Sequence, residues 1–234
     1  MKRKEKIWSV RTIAEIGIFA ALGYVLDLLA GIYSSPLFPN GGAIGIAMLC
    51  VFVVSFRRGF LPGMLTGLIM GLLDILDGFY VISGAEWYMS FLQVALDYWL
   101  AYPLAGLAGV VAILVKKADT KKKMVLWVSI GCLIGGSLKY ISHVLSGAIF
   151  WGADAGSFAW SFKDSTISPW AYSFIYNIAY MGPDIFLCTL LADVLIVIWP
   201  KAIHPEEGWS LEKQTAVEAK CVEHPTSQKE KEGK

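Results

Sequence analysis

Lys139, His143, Trp151, Tyr172 and Asn177 fall at or near the outer ends of two long apolar stretches, within KYISHVLSGAIFW and PWAYSFIYN. An ammonium, an imidazole or an amide gains nothing by facing lipid, so such groups turn towards a cavity or towards one another. Asp97 and Tyr98, in the LDY of an earlier apolar stretch, extend the set. Asp97 offers a negative charge, His143 and Asn177 offer directional donors and acceptors, and Tyr98, Trp151 and Tyr172 offer flat π faces. A carboxylate beside aromatic rings suits a flat, cationic, hydrogen-bonding guest, since a desolvated cation–π contact reaches about 2 kcal/mol. Trp87 and Tyr88, in the loop before Asp97, are placed to close over it.

Catalytic patterns are missing. The chain holds no GxxxxGK followed by Ser or Thr, no HExxH and no GxSxG, and His143 has no nucleophile at fixed spacing. Cys50, Cys132, Cys188 and Cys221 stand singly, without the CxxC spacing of metal or redox work, and the first three lie in apolar runs as small hydrophobes. The reading is ligand capture and not catalysis, with no cofactor, no metal and no nucleic-acid partner.

The elements that must position these residues follow from composition. Of 234 residues 56% are hydrophobic and 17% charged, which makes the lipid bilayer the solvent. Apolar runs between polar breaks predict spans at 9–32, 43–56, 60–77, 91–115, 124–150 and 171–199. The 43–56 run is short for a roughly 30 Å hydrocarbon core, but charge parity requires it. Of 20 Lys and Arg, all but Lys139 and Lys163 lie in the N-terminal MKRKEKIWSVR, the Arg57-Arg58 turn, the 116–123 loop and the tail from Lys201. These share one face only if six segments cross. The expectation is an all-α integral membrane protein: a six-helix bundle over 1–199 with both termini cytoplasmic, and a polar tail over 200–234. Outer loops then fall near 33–42, 78–90 and 151–170, in a multi-pass protein of the cell membrane.

Depth joins the chemistry to the topology. At 1.5 Å per residue, Asp97 and Tyr98 lie roughly 10 Å below the outer end of the fourth helix. His143 and Asn177 reach a similar depth on the fifth and sixth, with Trp151 and Tyr172 at the rim. Taken singly, Trp151, Trp160, Trp170 and Tyr172 read as interfacial anchors, and His143 or Asn177 as interhelical hydrogen bonds. Together they describe a pocket. Lys139, one turn inward of His143, would repel a cation and is expected to pair with an acid such as Asp74, Asp97 or Asp184. Gly17 and Ala21 on the first helix give the small-xxx-small spacing that lets another helix approach closely.

LDY, SHVLSGAIFW and YSFIYN, with the EIGIFAAL start of the first helix and the SFRRG turn, resemble the thiamine-specific substrate-binding (S) components of energy-coupling factor transporters. The likeness runs over residues 9–199, and its most specific parts are His–x7–Trp and Tyr–x4–Asn. It implies an S component that binds thiamine near the outer face and delivers it through a transmembrane coupling protein and two cytosolic ATPases, which hydrolyse the ATP. By position it carries substrate contacts onto Asp97, Tyr98, His143, Trp151, Tyr172 and Asn177. In loop 3 the contact falls on Trp87 or Tyr88, and ungapped counting back from Asp97 favours Trp87. It also makes Gly17 and Ala21 the docking face for the coupling protein. Two departures stand out: Asp97 replaces the expected glutamate, and YSSPLFPNGG lacks the expected tryptophan, with only Tyr33 and Phe38 aromatic. The alternative is a stand-alone, proton-coupled thiamine transporter using Asp27, Asp74, Asp97 or Asp184.

Overall fold

The computed structural model describes residues 8–38, 41–77, 86–151 and 167–203. Among these the backbone is helical, with no strand, in six main stretches: α1 Val10–Ser34, α2 Met48–Arg58, α3 Phe60–Asp77, α4 Trp87–Lys117, α5 Lys121–Trp151 and α6 Pro169–Ile198. Local signals set the ends. Ser9, Thr120 and Ser168 cap α1, α5 and α6 by accepting from backbone N–H groups, and Pro169 stands at the first turn of α6, where its missing N–H is no loss. Gly59, at φ 100°, makes the tight break between α2 and α3.

Four helices, α1, α4, α5 and α6, are long and apolar enough to cross a membrane; α3 contains a shorter apolar stretch, Phe60–Leu76. The expected span at 43–56 is only partly helical. α2 begins at Met48, and residues 41–47 run without regular helix. Even so, α2 is the innermost element: Phe52, Val54, Ser55 and Phe56 are wholly buried. Apolar on every side, it is wrapped by other helices and does not face lipid. α1 shows the opposite pattern. Thr12, Ile16, Ala20, Gly23 and Ala30 form a narrow buried stripe, while Ile13, Ile18, Leu22, Val25 and Leu29 are exposed, as a bilayer permits.

Small residues let the helices that carry the pocket approach closely. A Cβ on Gly71 of α3 would lie 2.5 Å from the Tyr98 carbonyl of α4, and one on Gly67 would strike the Tyr102 carbonyl. Hence α4 lies flat on α3 just where it bears pocket residues.

The basic segments gather at one end. Arg57 and Arg58 both grip the Glu15 carboxylate of α1, with N–O distances from 2.6 to 3.0 Å. Arg57 also donates to the Lys201 and Ala202 carbonyls beyond α6, and Lys116 reaches the Arg57 carbonyl. One carboxylate thereby ties α1, α2 and the start of the tail. The tail from residue 204 lies outside the described residues, as do Trp160 and Lys163.

Glu15→Ala removes the carboxylate that Arg57 and Arg58 share, their side chains being 14% and 8% exposed. The expected loss is about 3 kcal/mol, since breaking a buried pair from one side leaves an uncompensated charge. Thermal unfolding of the detergent-purified protein measures it, and an unchanged midpoint would show that the clamp does not hold the bundle together.

Candidate functional site

Two wide helical turns aim the first pocket residues. In α4 the stretch Ala95–Leu100 is π-helical, with the Ala101 N–H bonded to the Leu96 carbonyl five residues back. Pro103 follows closely; lacking an N–H and crowding the preceding turn, it explains why regular α-helix fails there. The extra residue in the turn carries Asp97 and Tyr98. The second wide turn, Gly147–Trp151, ends α5 and carries Trp151. Such turns are rare and concentrate at functional sites.

Asp97 is fixed by α5. Its Oδ1 lies 3.2 Å from His143 Nδ1, and its Oδ2 accepts from the Ser146 hydroxyl at 2.7 Å. Ser142 donates to the Leu96 carbonyl at 2.7 Å, fastening the wide turn to α5. The α6 wall is aromatic. Tyr172, Tyr176 and Tyr180 recur every four residues on one face; Tyr172 stacks on Tyr176 at 5.7 Å, and Phe38 packs edgewise on Tyr176 and Tyr180. Asn177 engages both ends of its amide within the protein. Its amide donates to Ser173 and, at 3.4 Å, to the His143 carbonyl, while its Oδ1 accepts from the Tyr180 hydroxyl at 2.6 Å.

Residues 41–47 close the remaining side. The Tyr176 hydroxyl donates to the Gly41 carbonyl at 2.7 Å, and the Ser34 hydroxyl accepts from the Ile44 N–H at 3.1 Å. Gly42, at φ 99°, presses its backbone on the Tyr180 ring so closely that a Cβ would lie 2.6 Å from it. Deeper in, Tyr102 of α4 donates between Asp27 and Asp74, and Lys139 holds its ammonium 4.1 Å above the Tyr102 ring.

These groups surround one cavity of about 600 Å³, within the range of small-molecule sites. Asp97, Tyr98, His143, Trp151, Tyr172 and Asn177 all line it. Trp87 does not. It is 79% exposed and packs edgewise against Tyr88, because α4 begins at Trp87 itself and carries that side chain outward. Lys139, expected to pair with an acid such as Asp74, Asp97 or Asp184, lines the cavity with its ammonium over the Tyr102 ring and its charge acting on Asp184. Phe38 stands in the wall where no loop-1 tryptophan exists. Tyr176, Tyr180, Tyr102 and Gly42 escape the sequence reading. The four-residue recurrence of tyrosine in YSFIYNIAY was the available signal for the first two. Asp27, Asp74 and Asp184, noted in the sequence only as intramembrane acids, also line the cavity. Gly17 and Ala21 are exposed, and nothing lies within 4 Å of a Cβ built on Gly17. Among the described residues no group of three or more His, Cys, Asp or Glu could hold a metal ion.

Residues 13–204 match the family described as thiamine transporter protein (Thia_YuaJ). The chain is 33% identical over 199 residues to the thiamine transporter ThiT of Bacillus subtilis, covering 84% of this chain and 95% of that protein. It is 31% identical over 211 residues to the thiamine transporter ThiT of Lacticaseibacillus paracasei, covering 87% and 96%. A solved structure of ThiT from Listeria monocytogenes superposes with a TM-score of 0.66 at 26% identity, covering 83% of this chain and 97% of that one.

Gly42→Ala drives a methyl into the Tyr180 ring and strains a left-handed backbone. The expected loss is about 1–3 kcal/mol, read by thermal unfolding. Part of it should return in a Tyr180→Leu background, and full additivity of the two changes would refute the contact.

Proposed function

The chain belongs to the thiamine transporter protein (Thia_YuaJ) family, and from that premise we propose that its cavity is the thiamine site of a multi-pass bacterial membrane protein. The observation that carries the reading is Asp97, a carboxylate held by His143 and Ser146 inside a wall of aromatic rings. Thiamine joins a flat aminopyrimidine, rich in donors and acceptors, to a permanently cationic thiazolium. Asp97 answers the charge or the amino group, and Trp151, Tyr98 and Tyr172 supply π faces for the rings. His143 borders the guest. Asn177, with its amide already engaged, serves chiefly by fixing Tyr180 and the α5–α6 seam. Trp87 is left as a covering residue of the outer loop.

The topology that goes with this reading has six crossings, α2 and α3 completing the four longer helices, with both termini in the cytosol. Its support is the collection of Arg57, Arg58, Lys116, Lys121 and Lys201 at one end of the bundle, as positive-inside sorting requires. In this reading the chain captures the guest and delivery falls to partners. The proposed partners are a transmembrane coupling protein and two cytosolic ATPases, with the exposed Gly17–Ala21 face of α1 as the docking surface. Among the described residues nothing lies within 4 Å of a Cβ built on Gly17 and Ala21 is exposed, which favours docking over internal packing.

Trp151→Ala and Asn177→Ala are each expected to weaken thiamine binding at least tenfold, about 1.4 kcal/mol. The measure is quenching of tryptophan fluorescence in the purified protein, and wild-type affinity in both variants would remove the site. Gly17→Leu or Ala21→Leu should abolish thiamine uptake while leaving that affinity intact. Thiamine accumulation in liposomes driven by a proton gradient, without ATPases, would replace the coupled reading with the stand-alone one.

A further inference from the structure

A serine or threonine inside a helix commonly hands its hydroxyl hydrogen to the carbonyl four residues back. Ser55 and Thr66 do so, at 2.7 and 2.9 Å. Ser142 and Ser146 of α5 instead reach across to α4. One helical turn apart and almost wholly buried, they address successive residues of its wide turn. Ser142 donates to the Leu96 carbonyl and Ser146 to Asp97 Oδ2, each at 2.7 Å. The first holds backbone; the second holds the carboxylate itself.

We propose that Ser146 is a positioning residue for the guest: it sets the carboxylate of Asp97, and the two side chains function as a pair in place of one longer acid. The inference rests on the reading of the cavity as a thiamine site.

An aspartate is short, so its carboxylate is placed by its backbone and two torsions. That backbone is gripped from two sides. A Cβ on Gly71 of α3 would lie 2.5 Å from the adjoining Tyr98 carbonyl, while Ser142 binds the Leu96 carbonyl from α5. The segment that bears Ser146 is anchored in turn by α6. Ser173 donates to the Val144 carbonyl at 2.8 Å, and a Cβ on Gly147 would lie 2.3 Å from the same Ser173 hydroxyl. Only the two torsions of Asp97 remain, and His143 and Ser146 settle them, one at each oxygen. A carboxylate ordered before the guest arrives spares the cost of ordering it on binding.

The arrangement also has a consequence for selectivity. A carboxylate has about four lone-pair sites, and α5 takes two of them. With its single hydrogen given to Asp97, Ser146 has none to offer a ligand. The pair therefore presents acceptors alone, which selects a cationic or N–H-bearing group at that place and disfavours a carbonyl.

Ser146→Ala leaves Asp97 tethered at one oxygen, and thiamine binding is expected to weaken about tenfold. Quenching of tryptophan fluorescence in the purified full chain measures it. Asp97→Glu alone drives a longer acid against the Ser146 hydroxyl and should weaken binding by a similar factor. In the double variant the extra methylene enters the space of the lost hydroxyl, so it should bind more tightly than Asp97→Glu alone. A serine of purely structural value gives no such rescue, because its loss would simply add to the other. Wild-type affinity in Ser146→Ala, or a double variant that binds no more tightly than Asp97→Glu, overturns the pair and leaves the pocket standing. If Ser146→Ala fails to fold, the comparison of Asp97→Glu with the double variant decides by the same criterion. Absence of thiamine binding by the wild type overturns the pocket, and this inference with it.

Discussion

A bilayer offers no hydrogen bonds, so every departure from regular helix at membrane depth must satisfy its own polar groups. Three departures enclose the cavity: residues 41–47, the wide turn at Ala95–Leu100, and the wide turn at Gly147–Trp151. Each is held by side chains from a neighbouring element. Tyr176 and Ser34 secure the first, and Ser142 ties the second to α5. The third follows a seam in which Ser173 donates to the Val144 carbonyl and Asn177 to that of His143. Many of the serines and tyrosines near the pocket are thus engaged with backbone, and the cavity is the space those irregular stretches leave.

This constraint divides the lining by role. Asn177, Tyr176 and Ser173 spend their polar atoms on protein, so they shape the wall more than they recognise a guest. Carboxylates are the conspicuous surplus: Asp27, Asp74, Asp97 and Asp184 share the cavity with Lys139 and His143. Aromatic faces surround them. A cavity with that balance favours a cation over an anion of equal size, because an entering positive charge relieves repulsion already present.

Much of this was legible in the sequence. The polar groups of SHVLSGAIFW and YSFIYN, and the LDY of α4, were expensive enough in an apolar setting to announce a common site, and all six residues drawn from them line one cavity. Helix positions followed from apolar runs between polar breaks. What escaped was irregular backbone. The 43–56 run reads as a short span, yet its first residues stand outside the helix, with Ala43 lining the cavity, and apolar composition does not distinguish the two. Trp87 lies outside the cavity lining for a related reason: counting back from Asp97 gives a position in the chain but not the side of the helix. Lys139 was assigned by charge alone, which does not reveal that its ammonium stands over the face of Tyr102, the ring whose hydroxyl meets Asp27 and Asp74.

α1 bears on all of these features. Its buried stripe packs the core, Glu15 anchors its basic end, Asp27 enters the cavity floor, and Gly17 and Ala21 look outward. Asp27 lies ten residues beyond Gly17, about 15 Å along one continuous helix. A helix of that length does not bend locally without breaking hydrogen bonds that lipid will not replace. A rotation or tilt of α1 that alters the Asp27–Tyr102 contact therefore also moves the exposed face. The Glu15 clamp sets the pivot: with two arginines of the α2 end on one carboxylate, the basic end is held while the Asp27 end is tied by a hydrogen bond in the cavity. The cavity floor and the outward face are thus carried by one continuous helix, anchored at its basic end by Glu15.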